Sequence, residues 1–308
     1  MRGLTLLGRA ARGLPANLGR AVFAPRPIER LAAARVLASL AILGFMSSRI
    51  AHADDWLSDA GFHVPAVSGW QQPLTLPALP VWLAWTVAIA LAASGLATAA
   101  GALTRVSSAV FAALLAYVAL ADRLAAFTVS KLAPVIALAL CLSPSGARYS
   151  VDAWRRARRR HSAPDAPRPT HVSGGCVAFF QILLPVFYVS SGWCKARHDW
   201  LSEPHVLWTH LHDSYQTTIS WLLANHLPPW MWTAFQGAVL LFECGAPLWF
   251  ALRPTRPYAL GFGVAMHLMI GVMFGPVIWF SLLMTSLLVA SYAPEPWLAR
   301  AFTGMRRT

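Results

Sequence analysis

The chain has 308 residues, 57% of them hydrophobic and only 12% charged, with a mean hydropathy of +0.52. That charged share is about half of what soluble domains carry, which excludes an ordinary water-soluble globule. The net charge of +13 and a pI near 10.8 would suggest a nucleic-acid partner on a soluble protein, but membrane proteins collect basic residues on their cytoplasmic side, so no nucleic-acid partner is expected.

Residues 1–30 are Arg-rich and acid-poor, with no long apolar h-region, which argues against a secretory signal peptide and leaves a basic cytoplasmic N-terminal segment. Such a segment either lies on the membrane surface as an amphipathic stretch or stays a basic tail. Apolar runs long enough to cross a bilayer follow, and in hydrocarbon every backbone polar group must be satisfied internally, so each is expected to be a helix. Eight spans are predicted, at roughly 31–51, 79–102, 106–124, 129–144, 174–196, 230–252, 257–274 and 276–293. The fourth is short and contains Pro134, and Gly275-Pro276 splits the last run into a helical hairpin. The expected fold is an all-α polytopic bundle over 31–297, closed by a basic cytoplasmic tail at 298–308.

Charge sets the orientation. Six arginines precede span 1, the loop 154–169 reads WRRARRRHSAPDAPRP, Arg253 and Arg256 follow span 6, and Arg300, Arg306 and Arg307 close the chain. The loop 52–78 has no Lys or Arg, and neither does 198–252; Arg123 and Lys131 run against the trend. With eight spans nearly all the positive charge falls on one side, so both termini are predicted to be cytoplasmic, in an inner (cell) membrane. The segment 197–229 is then extracytoplasmic, and Trp200, Trp208, Trp221 and Trp230 suit it to the interface.

Ionisable groups in apolar helices are costly and therefore candidates for function. Glu243 in span 6 and His267 in span 7 each sit roughly 15 Å from the inner end of antiparallel neighbours, a depth at which they could meet. Such a pair is either a proton acceptor with its tautomer held by a carboxylate or a structural hydrogen bond. Arg35, early in span 1, is expected to snorkel to the headgroups, with pairing to a buried acid as the alternative. Lys195 ends span 5 in YVSSGWCKARHDW, one of two lysines against 23 arginines. Either it snorkels, or it sits out of water, where a lysine can give up its proton and act as a neutral base. Gly192 would let a neighbouring helix approach closely. His205, His210 and His212 are weighed as metal ligands, but their spacing points them apart on a helix, and no metal site is expected. Cys141, Cys176, Cys194 and Cys244 form no C-x-x-C and read as small buried residues.

The stretch YVSSGWCKARHDW resembles the Y-x-x-[SA]-G-x-x-K-x-x-x-x-W signature of the HTTM membrane proteins, a superfamily that includes the vitamin K-dependent gamma-carboxylases. LAAARVLASLAIL resembles the arginine-bearing first helix of that family. KLAPVIALALCLSPSGARYSVDAW resembles its "sP-x-G-x-x-x-SlD" segment, VLLFECGAPLWFALRPTR its "E-x-x-x-P-x-x" helix and basic turn, and AMHLMIGVMFGPVIWFSLLM its "H…F-S-x-x-M" pair. The likeness runs over roughly 30–297. It implies a lysine base at Lys195, an intramembrane histidine at His267, a pocket lined by Glu243 with Trp193 and Trp200 at its mouth, a reduced naphthoquinone (vitamin K-like) as cofactor, and a secreted peptide or protein as substrate. The carboxylases also have a large extracytoplasmic C-terminal domain without counterpart here, and the usual apolar residue after the lysine is Ala196, followed by Arg197 and His198. A second branch of the family implies a non-enzymatic partner in maturation of a secreted toxin peptide. A proton-coupled transporter using Glu243 and His267 is a third alternative, and a DoxX-like subunit of a quinone-linked oxidoreductase a fourth.

Overall fold

A computed structural model describes residue 19 and residues 22–63, 74–121, 128–159, 169–212 and 215–304. Most of the expected N-terminal segment, the loop beyond Arg159 and the last four residues lie outside the described residues.

Each of the eight stretches expected to be helical is occupied by a helix. They are α1 (Glu29–Ala51), α3 (Val81–Ala100), α4 (Thr104–Ala121), α5 (Thr128–Leu142), α7 (Gly174–Ala196), α11 (Pro229–Ala251), α12 (Arg256–Met273) and α13 (Ile278–Tyr292). Short helices connect them: α2 (Ala53–Leu57), α6 (Val151–Arg159), α8 (Asp199–Ser202), α9 (Val206–His210) and α10 (Thr218–His226). Among the described residues six helices are long and apolar enough to cross a membrane, namely α1, α3, α4, α7, α11 and the unit Gly275–Tyr292. Helix α5 is shorter, with 15 residues. The expected break at Gly275-Pro276 is a 3-10 turn over Gly275–Val277 between α12 and α13.

Helix α1 is central, packing on α3 and α13. Ala32, Ala33, Ala34, Ala38 and Ala41 are buried in it, and such small side chains let helix backbones approach in a lipid environment. Outward faces keep large apolar groups exposed, among them Ile89, Leu96, Leu138 and Leu142, as a lipid-facing surface requires. Further along, α3 packs on α4, α4 on α5, α7 on α11, and α12 on α13.

Both expected terminal segments are partly built into the bundle. Strand β1 (Arg26–Pro27) pairs antiparallel with β2 (His171–Val172), setting Arg26 opposite Val172. At the other end α14 (Glu295–Gly304) buries Leu298 and Phe302, so the first part of the expected tail is packed structure.

Arg35 corrects the expectation of a snorkelling side chain. It is fully buried, and its guanidinium donates to the carbonyls of Ser145 at 2.8 Å and Tyr149 at 2.5 Å. It thereby ties the turn after α5 to α1. Gly101, at φ 69°, ends α3 in the left-handed region, where a Cβ would also meet Ser150 at 2.4 Å and the Arg35 guanidinium at 2.5 Å. Asp152 completes this polar end: its carboxylate accepts from the Leu103 and Thr104 N–H groups, each at 2.8 Å, and from the Thr104 hydroxyl at 2.7 Å. A carboxylate on free N–H groups at a helix start is favoured by both hydrogen bonding and the helix dipole. Burial works against the charged form of Asp152, yet the bonds from Thr104 and Leu103 and the nearby Arg156 together hold its carboxyl below the ordinary value.

Candidate functional site

The site lies where α7 meets α11. Gly192 makes the approach close: a Cβ there would stand 2.9 Å from Cys244 Sγ and 3.0 Å from both the Cys244 backbone nitrogen and Glu243 Cβ. One turn past Gly192, Lys195 extends across the same contact. Its ammonium donates to Glu243 Oε1 at 2.6 Å and Oε2 at 2.7 Å. Ser191 also donates to Oε1, at 3.3 Å. The Glu243 side chain is 7% exposed and that of Lys195 25%, so the carboxylate is enclosed while the lysine reaches the edge. The charges neutralise each other, and the carboxylate gains a third donor, which is the condition under which a buried pair persists.

This pairing corrects the expectation that Glu243 meets His267. Glu243 turns to Lys195 on α7, and His267 finds a different partner on that helix. His267 Nε2 lies 2.8 Å from the Tyr188 hydroxyl, with both groups buried. Depth along two antiparallel helices does not fix which faces look at each other, and here a third helix supplies both partners. The His267 ring is 2% exposed and stands edge-on to Phe280 at 5.5 Å. Its Nδ1 is buried without a hydrogen-bond partner among the described residues. Tyr188 itself packs edge-on against Phe242 at 5.0 Å. The two polar pairs therefore share helix α7, where Tyr188, Ser191 and Lys195 recur at spacings of three and four along one face.

The tryptophans separate. Lys195 Nζ lies 4.9 Å from the centroid of the Trp200 ring, so Trp200 flanks the cation. Trp193 is 61% exposed on another face, with the Arg197 guanidinium 5.8 Å from its ring, and takes no part in the cluster. Arg35 also stands apart, in the polar end built around Ser145 and Tyr149. Among the described residues no three His, Cys, Asp or Glu side chains are placed to hold a metal. His198, His212 and His226 instead fold back on the carbonyls of Cys194, Trp208 and Leu222, each four residues earlier.

Sequence reasoning did not single out Tyr188, Ser191 or Gln236. Tyr188 and Ser191 stand in the quoted signature and share the helical face of Lys195. Gln236, one strongly polar residue in an apolar helix, gave a signal of cost alone.

A family model described as the HTTM domain matches residues 23–294. No curated protein and no solved structure matches the chain.

Proposed function

Since the chain belongs to the HTTM family, related to the gamma-carboxylases, we propose that it is an integral membrane enzyme using Lys195 as its base. We read eight crossings of the inner (cell) membrane with both termini cytoplasmic, because the basic loops then share one side. This puts the Lys195 end of α7 at the extracytoplasmic face, where a secreted peptide or protein could reach it.

The observation that carries the reading is the contact between Lys195 and Glu243 at 2.6 Å. Lysine held as ammonium is no base, and to accept a proton it must first release one. Glu243 is the acceptor in contact. The neutral Lys195 then takes the proton of an acidic hydroxyl, leaving an oxyanion beside the restored ammonium. Arginine would not serve, since it holds its proton throughout. Tyr188 fixes the ring of His267, leaving Nδ1 as a second group able to hold or pass a proton.

A reduced naphthoquinone fits this donor set in kind: Lys195 and Glu243 for a ring hydroxyl, and the Trp200 indole as a flat apolar partner for the ring. Such a group, with dioxygen, would supply the driving force for removing a carbon-bound proton from a peptide side chain. Lys195 and Glu243 would bind and deprotonate it, and Trp200 would limit water beside them.

The test uses protein in nanodiscs supplied with a reduced naphthoquinone and oxygen, followed by mass spectrometry for the quinone epoxide. The expected result is epoxide from wild type and none from Lys195→Ala or Lys195→Arg. Folded wild type that forms none would overturn the reading.

A second reading rests on the extracytoplasmic segment. Leu201, Trp208, Ile219, Trp221 and Leu222 are all exposed there, a surface suited to a non-enzymatic partner in maturation or export of a secreted peptide. On that reading Lys195 is an anchor for Glu243, and Lys195→Arg keeps full function.

A further inference from the structure

Helix α11 carries an expensive residue two turns before Glu243. Gln236 is 3% exposed in an otherwise apolar stretch, and a buried amide costs free energy unless its hydrogen bonds are made. They are made. Its side-chain nitrogen donates to the carbonyls of Trp200 at 2.7 Å and Glu203 at 2.8 Å, and its oxygen accepts from the Leu207 N–H at 3.2 Å. One turn earlier Thr233 donates to the Pro204 carbonyl at 2.8 Å. All four bonds go to the backbone between residues 200 and 207, which holds only the short helix α8 and the start of α9. Helices of four and five residues do not stand by themselves in water, so their placement depends on outside contacts.

Seven residues span nearly two helical turns, so Gln236 and Glu243 share one face of α11. Glu243 grips Lys195 and Gln236 grips Trp200, whose ring stands beside the Lys195 ammonium. We propose that Gln236 is a positioning residue: it clasps the 200–207 strap to α11 so that Trp200 covers Lys195 and controls access to it. That this access governs a reaction rests on Lys195 being the base; the cover itself does not. A substrate approaching Lys195 from the side of the strap meets the indole, and the strap swings away only when the Gln236 bonds and the Thr233 bond break.

The chain's two lysines make the cover measurable. Lys131 is exposed on α5 and reports the intrinsic reactivity of the reagent. Protein in nanodiscs is treated with a water-soluble N-hydroxysuccinimide ester, and acylation of Lys195 and Lys131 is followed by peptide mass spectrometry. The expected result is a rise of roughly ten-fold in the Lys195-to-Lys131 rate ratio in Gln236→Leu, since breaking the clasp raises the open population. Trp200→Ala, which removes the cover and keeps the clasp, should raise the ratio at least as far. Melting temperatures taken alongside separate the two causes: local opening raises the ratio with the midpoint nearly unchanged, whereas global loosening raises it only together with a lowered midpoint. Should Gln236→Leu not fold, Gln236→Glu keeps the acceptor for Leu207, loses both donated bonds and carries the same expectation. An unchanged ratio in a folded Gln236 variant, or in Trp200→Ala, overturns the proposal. Because labelling needs no turnover, it stands or falls separately from the epoxide assay.

Discussion

The ammonium of Lys195 donates to both carboxylate oxygens of Glu243, joining the last turn of α7 to the interior of α11. Buried pairs of this kind add little when whole and cost much when halved. Lys195→Ala should therefore destabilise the protein toward the lower end of about 3–5 kcal/mol, because Glu243 stays enclosed without its cation. Lys195→Met with Glu243→Leu should recover most of that loss. Unfolding midpoints in detergent would measure it, and strictly additive effects would show that the two groups are not coupled.

Two glycines near this contact should respond in opposite directions. Gly192→Ala places a methyl 2.9 Å from Cys244 Sγ and 3.0 Å from backbone, so α7 and α11 must separate. A loss of roughly 1–3 kcal/mol is expected, as for other overpacked contacts. Gly237→Ala meets nothing within 4 Å and should gain about 0.5–1 kcal/mol from helix propensity. Thermal unfolding of both variants checks the contrast, and equal effects would mean the helices are not in contact at Gly192.

The carboxylate of Asp152 makes its contribution only when charged. Its value is lowered in the folded state by the bonds from Thr104 and Leu103 and by Arg156, against the effect of burial. A lowered carboxyl stabilises the fold above its unfolded value and ceases to do so as the pH falls through the folded one. Asp152→Asn should therefore lower the melting temperature at neutral pH, and the gap to wild type should close on acidification below the ordinary carboxylate range. A gap that stays constant well below that range would exclude the linkage.

The helices were readable from the chain because hydrocarbon imposes a rule that acts locally. A long apolar run must satisfy its own backbone, so position and approximate length follow from composition. The break at Gly275-Pro276 followed equally, since proline removes a donor and clashes with the preceding turn. Arg35 departs from the snorkelling expectation for a physical reason. An arginine near a helix end reaches headgroups unless something nearer accepts it, and the acceptors are carbonyls of Ser145 and Tyr149, more than a hundred residues away.

The sequence alone determined that the chain is an all-α membrane protein, that its costly residues include Lys195, Glu243 and His267, and that its family is that of the HTTM domain. These follow from composition, from the price of charge in an apolar run and from the spacing of motifs. Only the tertiary structure decided the partners: Lys195 with Glu243, His267 with Tyr188, Gln236 with the strap that carries Trp200. Depth in the membrane is set by position along one helix. Pairing depends on the rotation of each helix and on the close approach at Gly192, and those are fixed by the packing of several helices together.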